Sequence, residues 1–126
     1  MSKYNYIDRG DGEPIILLHG LMGAVSNFEN TISRLPEYGY RVILPMLPLY
    51  EMPILKTNIQ ELATFINRFT KDLKLTKFSI LGNSLGGHIG LILALQQPDK
   101  IKNLILSGSS GLYENTLGGQ FPKRGN

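Results

Sequence analysis

Lys77-Phe78-Ser79-Ile80-Leu81-Gly82-Asn83-Ser84-Leu85-Gly86-Gly87-His88 is the stretch on which the reading of this chain turns. Its first half is a short apolar run ending at Gly82, the pattern of a strand buried in a sheet. From Leu85 to Gln97 the chain is nearly all apolar, which predicts a helix buried on every side and stopped by Pro98. Between them Gly82-Asn83-Ser84-Leu85-Gly86 matches Gly-x-Ser-x-Gly in strand–turn–helix context. A turn that sharp holds its serine in strained backbone geometry, and small residues at Gly82 and Gly86 relieve crowding. The Ser84 oxygen is lifted to the top of the sheet, above the free N–H groups and positive dipole end of a helix. Gly86, Gly87 and Gly90 each cost about 1 kcal/mol of helix propensity. Their predicted use is close packing of the helix on the sheet.

The pattern extends outward from this element. Tyr4 to Ile7 alternates as a strand, and Asp8-Arg9-Gly10-Asp11-Gly12 reads as a turn. Pro14 to Gly20, Arg41 to Pro45 and Ile101 to Ser107 read as further strands, the first of them apolar throughout. Ser26 with Glu29 forms a capping-box pattern for a helix presenting Phe28, Ile32 and Leu35 on one face and closed by Gly39. Thr57 with Gln60 starts another, whose apolar face is Ile59, Leu62, Ile66 and Phe69. Three prolines between Pro45 and Pro53 mark a loop of restricted shape. Strands alternating with helices predict an α/β fold with a mostly parallel sheet. Sites in such sheets gather beyond the carboxyl ends of the strands, here His19-Gly20, Pro45-Met46, Gly82-Asn83-Ser84 and Ser107-Gly108.

Composition narrows the function classes. The 126 residues suit one domain, and 42% hydrophobic with 18% charged residues is a core-forming balance. A net charge of +3 from scattered basic residues gives no nucleic-acid stripe. Zero cysteines exclude disulfides, zinc-thiolate sites and a thiol nucleophile, and two histidines argue against a dedicated metal site. No cofactor motif is present. No apolar leader follows Met1 and no run reaches a membrane span, so the expectation is a soluble cytoplasmic protein.

Ser84 is the expected nucleophile. A tetrahedral intermediate needs two preplaced donors to its oxyanion. The backbone N–H of Leu85 is one, and that of Leu21, just after His19-Gly20, is the other. His19 reads as a brace of that loop rather than as a base, and Gly20 and Asn83 as supporting residues. His88 follows Ser84 by about one helical turn and reads as a packing residue. Asp72 and Asp99 fall away from the strand tips. Glu114 is the one acid expected on the correct side. Met22, Met46 and Met52 suit pocket walls or gap filling. Ser107, Ser109 and Ser110 read as turn residues.

At these residues the chain resembles the α/β-hydrolase superfamily, from about Ile15 to Gly108. Gly82-Asn83-Ser84-Leu85-Gly86-Gly87 and Ser107-Gly108-Ser109-Ser110-Gly111-Leu112 are similar to the branch of meta-cleavage-product hydrolases and related esterases. The resemblance implies a serine hydrolase that cleaves ester or C–C bonds through a Ser-His-Asp triad without a metal. It departs from the family at Pro45-Met46-Leu47-Pro48-Leu49-Tyr50, where an Asp-x-x-Gly-type turn is usual. Triad partners follow the serine in the order acid, then histidine, beyond this chain's last residue. The expectation is therefore the N-terminal portion of the fold, with residues 1–110 a partial core and 111–126 the poorly ordered start of a lid. The last strands, most of the lid, the base and the acid would be missing. Strand 101–107 would then be an exposed edge inviting self-association. Two other readings stay open: acyl transfer to an acceptor other than water, and a non-catalytic fragment binding a small apolar ligand or a partner chain.

Overall fold

The computed structural model describes residues 4–19, 28–48 and 59–107. Strands β1 (Tyr6–Arg9), β2 (Glu13–Leu18), β3 (Tyr40–Pro45), β4 (Phe78–Asn83) and β5 (Ile101–Ser107) form one sheet in the order β1-β3-β2-β4-β5. β1 runs antiparallel to β3, and every other pair is parallel. The helices are α1 (Glu29–Arg34), α2 (Ile59–Asp72) and α3 (Leu85–Gln96). The mostly parallel α/β architecture is as the sequence predicts.

The period of two in the central strands divides the core into two layers. Ile16 and Leu18 of β2 point to one face, where they join Ile43, Ile80, Leu62, Ile66 and Phe69 of α2 and Ile89 and Leu93 of α3. Ile15 and Leu17 point to the other face, with Val42, Leu44 and Phe28, against which Ile32 and Leu35 pack. A strand covered on both faces must be apolar throughout, which explains the unbroken run in β2. The predicted apolar face of α2 is the buried one, with Leu62, Ile66 and Phe69 at 1%, 0% and 0% exposure. Thr57 and Ser26, the proposed capping residues, lie outside the described residues.

Three local expectations are corrected. The strand expected at Tyr4–Ile7 lies instead at Tyr6–Arg9, because Asp8 pairs across to Ile43 rather than forming a turn. Arg41 donates to both its carboxylate oxygens, Nε at 3.0 Å and Nη2 at 2.7 Å. That hydrogen bonding raises the Arg41 guanidinium above its ordinary value, against a smaller effect of burial. Second, α1 ends at Arg34 and a 3-10 turn carries Leu35–Tyr38 to Gly39, which closes it at φ +89°. Pro36 has no N–H to continue the α-helical ladder. Third, α3 is not buried on every side. Gly86, Gly87, Ile89, Gly90 and Leu93 are buried, but Leu91 is 37% and Leu95 82% exposed. Among the described residues only one side of α3 is covered, by the sheet and α2.

No helix among the described residues is long and apolar enough to cross a membrane. The chain before β1 is pinned to α2 by an aromatic cluster, with Tyr4 edge-on to Phe65 and to Phe69, and Tyr6 edge-on to Phe69. The Tyr4 hydroxyl also donates to Asp72 at 2.6 Å. That bond, with a smaller effect of burial, holds the phenol above its ordinary value of 10.0. Phe69→Ala removes the ring at the centre of this cluster and is expected to destabilise the fold by about 3–5 kcal/mol. Urea denaturation checks this, through a fall in the unfolding midpoint at unchanged slope.

Candidate active site

The connections leaving β2 and β4 turn to opposite sides of the sheet. After β2 the chain passes through α1 on one face to reach β3, and after β4 it passes through α3 on the other face to reach β5. β2 and β4 are neighbours, paired from Ile15↔Ser79 to Leu18↔Gly82. Adjacent parallel strands with diverging connections open a crevice beyond their carboxyl ends. Ser84 and His19 both stand at that crevice edge, each directly after its strand.

Ser84 occupies the turn between β4 and α3 with φ 58° and ψ −117°, and it is exposed. Only one other described non-glycine residue, Lys74, has a positive φ. Backbone held there is strained by about 1–3 kcal/mol and persists only when its surroundings over-determine it. Those surroundings are specific. A Cβ on Gly86 would collide with the carbonyl of Leu18, and one on Gly82 would lie 2.6 Å from Gly87 Cα. Gly82 and Gly86 therefore let strand and helix approach more closely than any side chain permits, as the motif predicts. The Ser84 N–H donates to the Ser107 carbonyl at 3.3 Å, and the Gly87 N–H donates to the Ser84 carbonyl at 2.9 Å. Leu85 is the first residue of α3, where a backbone N–H has no acceptor within its own helix. Leu21, the second predicted donor, and Gly20 lie outside the described residues.

Asn83 turns back toward β5. Its Nδ2 donates to the Ser107 carbonyl at 3.2 Å and lies 3.5 Å from Ser107 Oγ. The residue that sequence reading missed is thus Ser107, taken there for a turn residue. Its carbonyl ties both Asn83 and Ser84 to the end of β5, through a strand pairing with no local signature in sequence.

His19 is 4% exposed, and its Nε2 accepts the Leu47 N–H at 3.1 Å. A nitrogen that accepts from an amide carries no proton, so the neutral ring holds its hydrogen on Nδ1. The side chain ties the end of β2 to Leu47 after β3, and its Nε2 lone pair is engaged there. His88 lies half-buried in the first turn and a half of α3. Among the described residues no imidazole is hydrogen-bonded to the Ser84 hydroxyl. Asp72 sits at the far end of α2 with Tyr4, and Asp99 in the turn before β5, at the opposite edge of the sheet. Glu114, Met22, Met52, Ser109 and Ser110 fall outside the described residues. Met46 packs on the face that carries α1.

Among the described residues no three His, Asp or Glu side chains gather as a group that could hold a metal. A shallow groove lined by Glu13, Pro14, Lys77, Phe78 and Lys102 lies at the amino ends of β2, β4 and β5, away from Ser84. His19→Ala is expected to leave the buried Leu47 N–H unsatisfied, at a cost of about 1–3 kcal/mol. Amide exchange followed by NMR checks the assignment: the Leu47 amide loses protection selectively. Unchanged Leu47 exchange in a folded variant contradicts it.

Comparison with known proteins places this geometry. Residues 13–124 match the family described as alpha/beta hydrolase fold. The chain is 35% identical over 114 residues to a 2-hydroxy-6-oxononadienedioate/2-hydroxy-6-oxononatrienedioate hydrolase of Escherichia coli K12, covering 84% of this chain and 40% of that protein. It is 30% identical over 115 residues to a 2-hydroxy-6-oxo-6-phenylhexa-2,4-dienoate hydrolase of Comamonas testosteroni, covering 86% and 40%. The chain thus spans about two fifths of the length of these relatives. Among solved structures, an alpha/beta hydrolase enzyme from a sediment metagenome of the Mar Chica lagoon, Morocco, superimposes with TM-score 0.82 at 42% identity, over 94% of this chain and 54% of the other. An esterase from Exiguobacterium antarcticum does so with TM-score 0.76 at 33% identity, over 85% and 41%. The chain, with its parallel sheet and its strained serine between strand and helix, belongs to the alpha/beta hydrolase fold family.

Proposed function

We propose that this chain carries the nucleophile and oxyanion side of a serine hydrolase acting on an ester, a thioester or an activated carbonyl, including a carbonyl flanked by a scissile C–C bond. The observation that carries the reading is Ser84, exposed at φ 58° on the turn between a buried parallel strand and the first residue of a helix. A binding fold gains nothing from strain at that position. The C–C alternative is supported by two relatives named as dienoate and dienedioate hydrolases, and the ester reading by the esterase neighbour.

In this mechanism Ser84 Oγ attacks the carbonyl carbon and gives up its proton to a general base. The carbonyl oxygen becomes an oxyanion held by the N–H groups of Leu85 and Leu21, each such donor contributing about 2.7–4 kcal/mol to the transition state. Collapse expels the alcohol, thiol or carbon leaving group with a proton from the same base and leaves an acyl-Ser84 ester. Water, deprotonated by that base, then releases the acid. The base and its orienting acid are assigned to residues beyond the described ones, in keeping with the order Ser, acid, His of this fold. With an elbow and oxyanion donors alone, roughly 10³–10⁴-fold acceleration over water can remain. Leu21, Gly20 and the pocket-wall methionines complete the site in this proposal, and a cytoplasmic location accords with the absence of cysteine.

Turnover of a p-nitrophenyl ester tests the proposal. Wild type is expected to release p-nitrophenol, at minimum as a stoichiometric acylation burst, and Ser84→Ala to lose that release while keeping its melting temperature. Equal release by the two proteins contradicts the proposal.

A further inference from the structure

β4 and β5 stay in register to the point where β4 ends, with Gly82 opposite Leu106 and Asn83 opposite Ser107. The Ser84 N–H, donating to the Ser107 carbonyl, is the last rung of that ladder among the described residues. At 3.3 Å it is longer than the usual amide hydrogen bond of about 2.9–3.0 Å. The residue that makes it sits at φ 58°, and beyond it the chain turns into α3. Glycines at 82 and 86 permit that turn, but they do not hold the Ser84 N–H. The Ser107 carbonyl does, so its position decides whether the strained backbone is kept.

A carbonyl oxygen has two lone pairs. Asn83 takes up the second on Ser107, with Nδ2 donating at 3.2 Å. The strand's period of two sets the face on which it does so. Ile80 and Gly82 face α3: a Cβ on Gly90 would lie 3.1 Å from Ile80, and one on Gly82 2.6 Å from Gly87 Cα. Leu81 and Asn83 therefore face the opposite side, where Leu81 packs with Leu17 and Leu44. Ser107 Oγ lies 3.5 Å from Asn83 Nδ2. The turn is thus fixed from both faces of the sheet. Gly86 of α3 presses on the Leu18 carbonyl from one, and Asn83 holds the Ser107 carbonyl from the other.

We propose that Asn83 is a positioning residue for the nucleophile: its side-chain amide fixes the Ser107 carbonyl as acceptor of the Ser84 N–H and so keeps Ser84 in its strained backbone state. This rests on the reading of Ser84 as nucleophile. The residue type fits the place. An amide carries the donor that a carbonyl needs, whereas a carboxylate of the same shape carries acceptors only. The role is exercised through β5 and not through contact with substrate.

Saturation labelling by a small fluorophosphonate, with amide exchange followed by NMR, tests it in wild type, Asn83→Ala and Asn83→Asp at neutral pH. Both variants are expected to lower the maximal labelling rate at least tenfold, with the half-saturating concentration and the melting temperature unchanged. In both, the Ser84 amide is expected to exchange about tenfold faster, the loss of one hydrogen bond. Asn83→Asp separates donation from shape: a variant that labels like wild type overturns the proposal, since filling the space would then suffice. A raised half-saturating concentration at unchanged maximal rate overturns it in favour of substrate contact. Slower labelling with unchanged Ser84 exchange also overturns it. If Asn83→Ala does not fold, Asn83→Asp alone decides by the same measurements. A wild type that takes no adduct is the failure of the nucleophile reading instead, and Ser84 exchange in the variants then decides whether Asn83 holds the turn.

Discussion

The contact between Gly86 at the start of α3 and the Leu18 carbonyl at the end of β2 is the constraint from which the candidate site follows. No side chain fits between them. Because helix and strand meet this closely, the chain leaving β4 has one residue in which to reverse direction, and that residue takes φ 58°. The strain is sustained by a well-anchored surround. Leu18 is fully buried in the central strand, β4 is hydrogen-bonded on both sides, and the Ser107 carbonyl receives the Ser84 N–H. A serine in relaxed geometry could rotate away from a substrate. This one is fixed at the mouth of the crevice by packing that lies beneath it.

The same central strand joins the two halves of the crevice. His19 follows Leu18 directly, and its Nε2 accepts the Leu47 N–H, which ties the end of β2 to the residue two places after β3. β5 contributes through Ser107, which holds Asn83 and Ser84. The ends of β4 and β5 thus meet at Ser84 through the Ser107 carbonyl, and the ends of β2 and β3 are joined separately through His19. Such a scaffold positions donors while leaving the chemistry of the substrate pocket to other segments. The superfamily's range of substrates is consistent with that division.

Much of this was legible in sequence, for physical reasons that differ by element. β2 and α2 declared themselves because burial on two faces and on one helical face leaves distinct apolar periods. The elbow was legible because only glycine tolerates the approach at positions 82 and 86, so the constraint is written in the residue type. Asp8 was misread because an acidic residue before Gly10 has the local chemistry of a turn, while its partner Arg41 lies 33 residues away. The outer side of α3 was misread because composition reports how apolar a helix is, not how many of its sides are covered. The role of Ser107 was invisible, since a backbone carbonyl carries no residue signature.

Peptide mapping by mass spectrometry after exposure of the folded chain to a fluorophosphonate tests the central claim most directly, that the fold presents Ser84 as a preorganised nucleophile. The account predicts a single adduct on Ser84, lost when the chain is unfolded in urea before exposure. No adduct, or adducts distributed over Ser33, Ser79 and Ser107 as readily as Ser84, would contradict it.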